Sequence, residues 1–244
     1  LFMRIRIDDL NTSYKSKSTI HASFMSYKKE LAEGLTIVKN SFIPQFMIPI
    51  VIANFIFGVI NGILPAYANI RGGEQFYGYY LVSISIGILI GALVASKIKH
   101  LPLGHIIILS FFLSSLIWGL SYLVKSPLLS VILLGISMIS LGIANVLINS
   151  IFQAIVPENL LGRVFSVVNS LAALSLPIGA FLGGYFANLF GSEWVYLTGS
   201  IGNLFTTLYW LLTPSMRKLP SYLKMATLDQ YKIKNYQAHK KLSQ

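Results

Sequence analysis

Six long runs without a single formal charge constrain this chain more than any other feature. Cutting its 244 residues at every Asp, Glu, Lys and Arg leaves 40–70, 75–96, 100–124, 126–157, 164–192 and 194–216, of 31, 22, 25, 32, 29 and 23 residues. A helix needs about 20 apolar residues to cross the hydrocarbon of a bilayer, so each run holds one span. Charged residues make up 11% of the chain, against about a quarter in a soluble domain, which excludes a disordered segment and argues against a water-soluble enzyme. The sequence therefore predicts an all-α polytopic membrane protein, with the lipid bilayer as its first partner. Its six transmembrane helices are expected at about 45–67, 76–96, 102–124, 127–152, 164–190 and 194–213. Short loops make each helix antiparallel to the next.

The charge that the spans lack is gathered between and around them. Seven Lys and Arg precede the first span, the loops hold one, two, one, one and none in turn, and seven follow the last. Alternate segments thus carry 17 and 2. Cytoplasmic segments are the ones that retain Lys and Arg, so both termini are expected in the cytoplasm, with the chain in the plasma membrane. That retention explains the net charge of +11 without nucleic acid as a partner. Residues 1–44 read as a cytoplasmic linker. Within it Leu31, Leu35, Val38 and Phe42 recur at helical spacing over about 28–43, which suits an amphipathic helix on the membrane surface or a solvated connector. Residues 214–244 read as a basic cytoplasmic tail. Leu1, where a methionine would start a frame, is expected to lie inside a longer reading frame or to mark a trimmed end.

Inside the spans there is little for catalysis to use. No span contains a carboxylate, Lys or Arg, the usual marks of proton relays and ion sites, and the chain has no cysteine. Without an embedded acid, a metal-ligand cluster or a nucleophile beside a base, neither enzyme activity nor a metal or cofactor is expected. A lipid-headgroup transferase would require acidic ligands at the membrane surface. The only acidic loop residues are Glu74, Glu158 and Glu193, divided between the two sides.

Amides are what the spans do offer. Asn145, Asn149 and Gln153 fall at i, i+4 and i+8 on the fourth span, Asn54 and Asn61 share a face of the first, and Asn169 marks the fifth with Ser166 and Ser170. An amide facing lipid leaves its donors and acceptors unpaired. These residues must therefore face other helices, through interhelical hydrogen bonds, or a wet cavity that receives a substrate. Pairs of glycines four apart, Gly58 with Gly62, Gly87 with Gly91 and Gly179 with Gly183, allow close approach of helix backbones. Gly184 adjoins the last pair. Between the fourth and fifth spans, Pro157 stands at a helix end, Gly162 in an expected tight turn, and Arg163 at the mouth of the next helix, with Glu158 placed to pair with it or to accept donors at a helix N-terminus.

At these residues the chain resembles the C-terminal six-helix half of a major facilitator superfamily transporter, especially the multidrug and macrolide-efflux exporters. Glu33, Gly34 and Leu35, followed by Lys39 and Asn40, resemble that group's amphipathic approach to its seventh helix. Pro157 through Ser166 resembles the loop between its tenth and eleventh helices, and Pro177, Ile178 and Gly179 with Gly183 and Gly184 resemble its glycine-rich eleventh helix. The likeness covers about residues 28–213. One departure is in the loop after the second span, where Ala95 and Ser96 occupy the Asp and Arg positions of the superfamily's G-x-x-x-D-R-x-G motif.

The resemblance implies a secondary-active permease that exports drug-like or macrolide-like compounds by alternating access, driven by the proton motive force. Spans one, two, four and five would line the substrate cavity. Spans three and six would face lipid, where Ser110, Ser114 and Ser115 are tolerable. Asn54, Asn61, Asn145, Asn149, Gln153 and Asn169 become candidate cavity residues, and Pro157, Glu158, Gly162 and Arg163 a candidate gating loop. The partners implied are a small-molecule substrate and the other six-helix half, or a second copy of this chain. The alternative is a truncated or non-transporting half-permease that acts only in membrane assembly.

Overall fold

The computed structural model describes residues 43–227, which are helical with no strand. Six long helices follow one another: α1 Pro44–Gly72, α2 Gln75–Ile98, α3 Leu103–Leu123, α4 Pro127–Ile155, α5 Glu158–Phe190 and α6 Ser192–Leu212. Two short ones, α7 Pro214–Arg217 and α8 Tyr222–Thr227, come after them. Helices are what hydrocarbon permits, because each backbone group there must be paired within its own segment. Five of the six are long and apolar enough to cross a membrane. The exception, α6, carries Glu193, Asn203, Thr206 and Thr207, and buries the last three of these against its neighbours. The expected amphipathic helix lies in residues 28–42, outside the described residues, save for Ile43.

Local chemistry sets the ends. Pro44 and Pro127 occupy first-turn positions, where the missing N–H costs nothing, and the Ser126 hydroxyl accepts from the Leu129 amide at 3.4 Å. Gly73 (φ +100°) and Gly191 (φ +89°) close α1 and α5 in a backbone region that favours glycine. Four helices, α1, α2, α5 and α6, pass one end of their charge-free runs. α5 has 33 residues and is about 50 Å long at 1.5 Å per residue, so it projects past a hydrocarbon layer of about 30 Å. Gly162 and Arg163 lie in its second turn. Gly162 is therefore helical, not part of a tight turn, and residues 158–163 are the start of α5 rather than a loop.

The packing repeats itself. α5 lies against α1 as α2 lies against α4, α6 lies against α1 as α3 lies against α4, and α3 and α6 meet each other. Exchanging the first three helices with the last three reproduces this pattern, so the bundle has internal two-fold pseudosymmetry. Glycines make both members of the first pair of contacts. A Cβ at Gly58 would stand 2.1 Å from the Leu176 carbonyl oxygen, and one at Gly179 2.1 Å from that of Phe55; Gly62 and Gly183 are similarly crowded. On the symmetry-related contact, a Cβ at Gly87 would meet the Gly135 carbonyl oxygen at 2.2 Å, and one at Gly91 that of Ile139 at 2.2 Å. Gly184 is different: a Cβ there meets nothing within 4 Å, so it takes no part in close packing.

Hydroxyls and an amide hold α3 to α6. Ser115 and Ser200 each donate a side-chain hydrogen bond to the other's carbonyl, at 2.9 and 2.8 Å. Asn203 Nδ2 donates to Ser114 Oγ at 3.0 Å. Ser110, Ser114 and Ser115 are all buried, which corrects the expectation that they sit on a lipid face. The outward faces of these helices carry Leu116, Leu120, Ile201 and Phe205.

Two apolar clusters fill the bundle. One, at the end where the described residues begin and finish, gathers Phe46, Leu103, Ile151, Phe152, Val167 and Trp210. The other, at the opposite end, gathers Ile60, Tyr67, Tyr80, Trp118, Leu134 and Tyr196. The first cluster also takes in Met216, Leu219 and Met225, so the segment after α6 is docked onto the bundle as far as it is described. It supplies backbone partners too. The amides of Leu103 and Gly104, at the start of α3, point to the carbonyls of Pro220 and Leu219 at 3.3 and 3.4 Å. Residues 228–244, the rest of the expected basic tail, lie outside the described residues.

Candidate functional site

Between the two clusters the packing leaves a cavity of about 340 Å³. α1 contributes Pro49, Ile50, Ala53, Asn54 and Phe57, and α4 runs along it from Met138 to Phe152. α5 closes it with Val168, Asn169 and Ala172, while α2 and α3 add one side chain each, Ile88 and Phe111. The wall is thus mainly α1, α4 and α5, with α3 reaching it through the buried ring of Phe111 and α6 absent from it.

Four of the six amides singled out in the sequence meet here: Asn54, Asn145, Asn149 and Asn169. Helical periodicity brings them together. Asn145 and Asn149 are one turn apart and on one face, and each partner helix presents a single amide at the same level. The other two lie outside the lining. Asn61 is exposed two turns beyond Asn54, and Gln153 is exposed one turn beyond Asn149.

The bonding of these amides is local. Asn54 Nδ2 donates to the Ile50 carbonyl at 2.9 Å, and Asn61 Nδ2 to that of Phe57 at 2.7 Å. Asn149 Nδ2 donates to the Asn145 carbonyl at 2.9 Å and to Asn145 Oδ1 at 3.0 Å. Each bond stays within one helix and none ties these helices together. One donor of Asn54 and one of Asn149 are therefore spent within their own helices, and Asn145 accepts from Asn149, so none of these bonds is used to join helices. Asn145, Asn149 and Asn169 are exposed and Asn54 half-buried, as befits a wall reached by water rather than lipid. Phe57, Phe111, Phe152 and Met138 supply the apolar part.

Among the described residues no Asp, Glu, Lys or Arg lines the cavity, and no group of three or more His, Cys, Asp or Glu could hold a metal ion. Such a surface can hold a bulky, mostly apolar molecule by burial and orient it with a few hydrogen bonds. The start of α5 stands apart from it: Pro157 precedes the first turn, Glu158 lies within it, and Glu158, Gly162 and Arg163 are exposed. Ala95, at the Asp position of the loop motif, is fully buried.

Sequence patterns did not single out the aromatic lining, Asn203 or Arg71. A signal for the first exists, since Phe57 follows Asn54 by three and Phe152 follows Asn149 by three. Arg71, in the last turn of α1, is bonded to groups on α3 that carry no sequence signature.

Comparison with known proteins gives a consistent set. The profile of the Major Facilitator Superfamily matches residues 10–180. Macrolide efflux protein A of Streptococcus pyogenes is 24% identical over 183 residues, covering 72% of this chain and 45% of that protein. The multidrug efflux pump Tap of Mycolicibacterium fortuitum is 27% identical over 159 residues, covering 64% of this chain and 39% of that protein. The chain thus matches less than half the length of these curated relatives. No solved structure matches.

Proposed function

Because the chain belongs to the Major Facilitator Superfamily, a family of multi-pass membrane transporters, we propose that it is the C-terminal six-helix half of a secondary-active exporter. In this reading the cavity between α1, α4 and α5 is this half's share of a binding site for bulky, drug-like compounds. The single observation that carries it is the meeting of Asn54, Asn145, Asn149 and Asn169 in one charge-free cavity, with none of them spent on joining helices. Two relatives, a macrolide efflux protein and a multidrug efflux pump, support export of drug-like or macrolide-like compounds.

Permeases of this kind hold substrate near midplane between two bundles, so the open face of the cavity awaits the other half or a second copy. The lysine- and arginine-rich ends favour both termini in the cytoplasm. Arg163 and Glu158, beyond the hydrocarbon at the start of α5, are suited to gating at that surface. The proton motive force is the energy source proposed. The test is drug accumulation in cells expressing the intact gene, across a panel that includes macrolides. Lowered accumulation of some compounds supports export. Unchanged accumulation throughout, with the protein present in the membrane, favours the alternative of a non-transporting half that serves membrane assembly.

A further inference from the structure

The end of the bundle opposite Ile43 and the segment after α6 is held by one cation. Arg71 Nη2 donates to the carbonyls of Tyr122 and Val124 at 2.5 and 2.9 Å, and reaches that of Ser121 at 3.4 Å. These are carbonyls at the C-terminus of α3, which have no partner within the helix. Arg71 Nε donates to the Tyr67 hydroxyl at 3.1 Å, and the guanidinium lies 5.4 Å from the Tyr67 ring centre. From there the network spreads. The Tyr67 ring stacks on Tyr196 at 3.8 Å, and the Tyr196 and Ser121 hydroxyls are 2.8 Å apart. Ser121 and Ser130 bond each other's carbonyls at 2.9 and 2.8 Å, and Tyr80 donates to Ser130 Oγ at 2.7 Å.

This web contains side chains of α1, α2, α3, α4 and α6, and none of α5. Tyr67, Tyr80, Ser121, Ser130 and Tyr196 are all buried. α5 meets α1 through glycines and backbone, a contact with no side-chain hydrogen bond among the described residues. It ends at Gly191, whose positive φ sets it off from α6.

We infer that Arg71 is a conformational lock. It joins five helices into one rigid unit at the end opposite Ile43 and the segment after α6, and α5, outside the lock, is the helix that shifts against them. A guanidinium suits the task because its fork reaches several carbonyls at once and keeps its charge at any working pH. No carboxylate is bonded to it in the described residues, so the lock is built on helix-end carbonyls and a ring face, and salt screens it little.

The chain has no cysteine, so pairs of spin labels can be placed at will on the full chain in nanodiscs. A pair at Glu74 and Lys125 spans the locked helices, and a pair at Glu74 and Phe190 reports on α5; all three positions are exposed. The first pair should give a narrow distance distribution and the second a broader one. Arg71→Gln should widen the first distribution at least about twofold, as a second conformation becomes populated, and Arg71→Lys should restore part of the narrowness. Tyr196→Phe, which removes one hydroxyl and keeps the stacked ring, should widen it less, and decides the matter if Arg71→Gln does not fold. An unchanged first distribution in the folded variants, or equal widths for the two pairs in the parent chain, overturns the lock.

Discussion

Replacing Gly179 by alanine adds one methyl group where two helices touch backbone to backbone. The new Cβ would stand 2.1 Å from the Phe55 carbonyl oxygen, and ordinary contact begins at 3.4 Å. The gap must open by about 1.3 Å, the difference of those distances. Neither partner is a flexible side chain that could swing aside, so α1 and α5 must separate along the whole contact that Gly58, Gly62 and Gly183 share. Overpacking of this kind costs about 1–3 kcal/mol, and the added loss of close contact along the helices places Gly179→Ala in the upper half of that range. Gly184→Ala is the control, because its Cβ meets nothing within 4 Å; it should be neutral or stabilising by up to about 1 kcal/mol, from the better helix propensity of alanine. Reversible unfolding of the two variants in mixed micelles measures both. Equal stabilities for Gly179→Ala and Gly184→Ala would refute the reasoning, since propensity alone predicts the same gain for each.

Three more expectations follow from side chains described above. Asn149→Leu should alter which compounds the intact permease exports while changing stability by less than about 0.5 kcal/mol, because the amide bonds only its own helix; a loss of stability with an unchanged substrate range would make it a packing residue. Asn203→Leu should destabilise by about 1–2 kcal/mol, since it strands buried Ser114 and has no cavity to serve, and unfolding at parental strength would refute the cross-helix bond. Met216→Ala should cost about 2–4 kcal/mol as a core truncation, whereas a solvated tail would register almost nothing in the same titration.

The fold was legible because hydrocarbon excludes charge, and the absence of charge is visible without any structure. What it shows, however, is where lipid lies and not where helices stop. Arg71, Lys97, Glu158 and Arg163 are all helical, since backbone hydrogen bonding continues into the headgroup layer where a charge can reach water. That is why α1 and α5 outran the spans and Gly162 left its expected turn. The amide face of α4 was legible for a simpler reason, the period of the helix, and so were its partners Asn54 and Asn169. Asn61 and Gln153 share those faces but lie past the ends of a cavity that is short beside the helices, a limit that period alone cannot reveal. Arg71 escaped because its partners are carbonyls, which every residue has. The docked segment did carry a signal: Met216, Leu219, Tyr222 and Met225 recur every third position within a stretch otherwise noted for its charge.

The backbone cap at the start of α3 bears on how the protein is made. A ribosome delivers Leu103 and Gly104 more than one hundred residues before Leu219 and Pro220, whose carbonyls receive their amides. Throughout that interval water must occupy the vacancy, which pins the beginning of the third rod to the bilayer's wet rim while the rest is threaded. A nascent polypeptide arrested just past Leu212 would already possess all six rods, yet its third would still be waiting for a closing stitch that only the segment after the sixth provides.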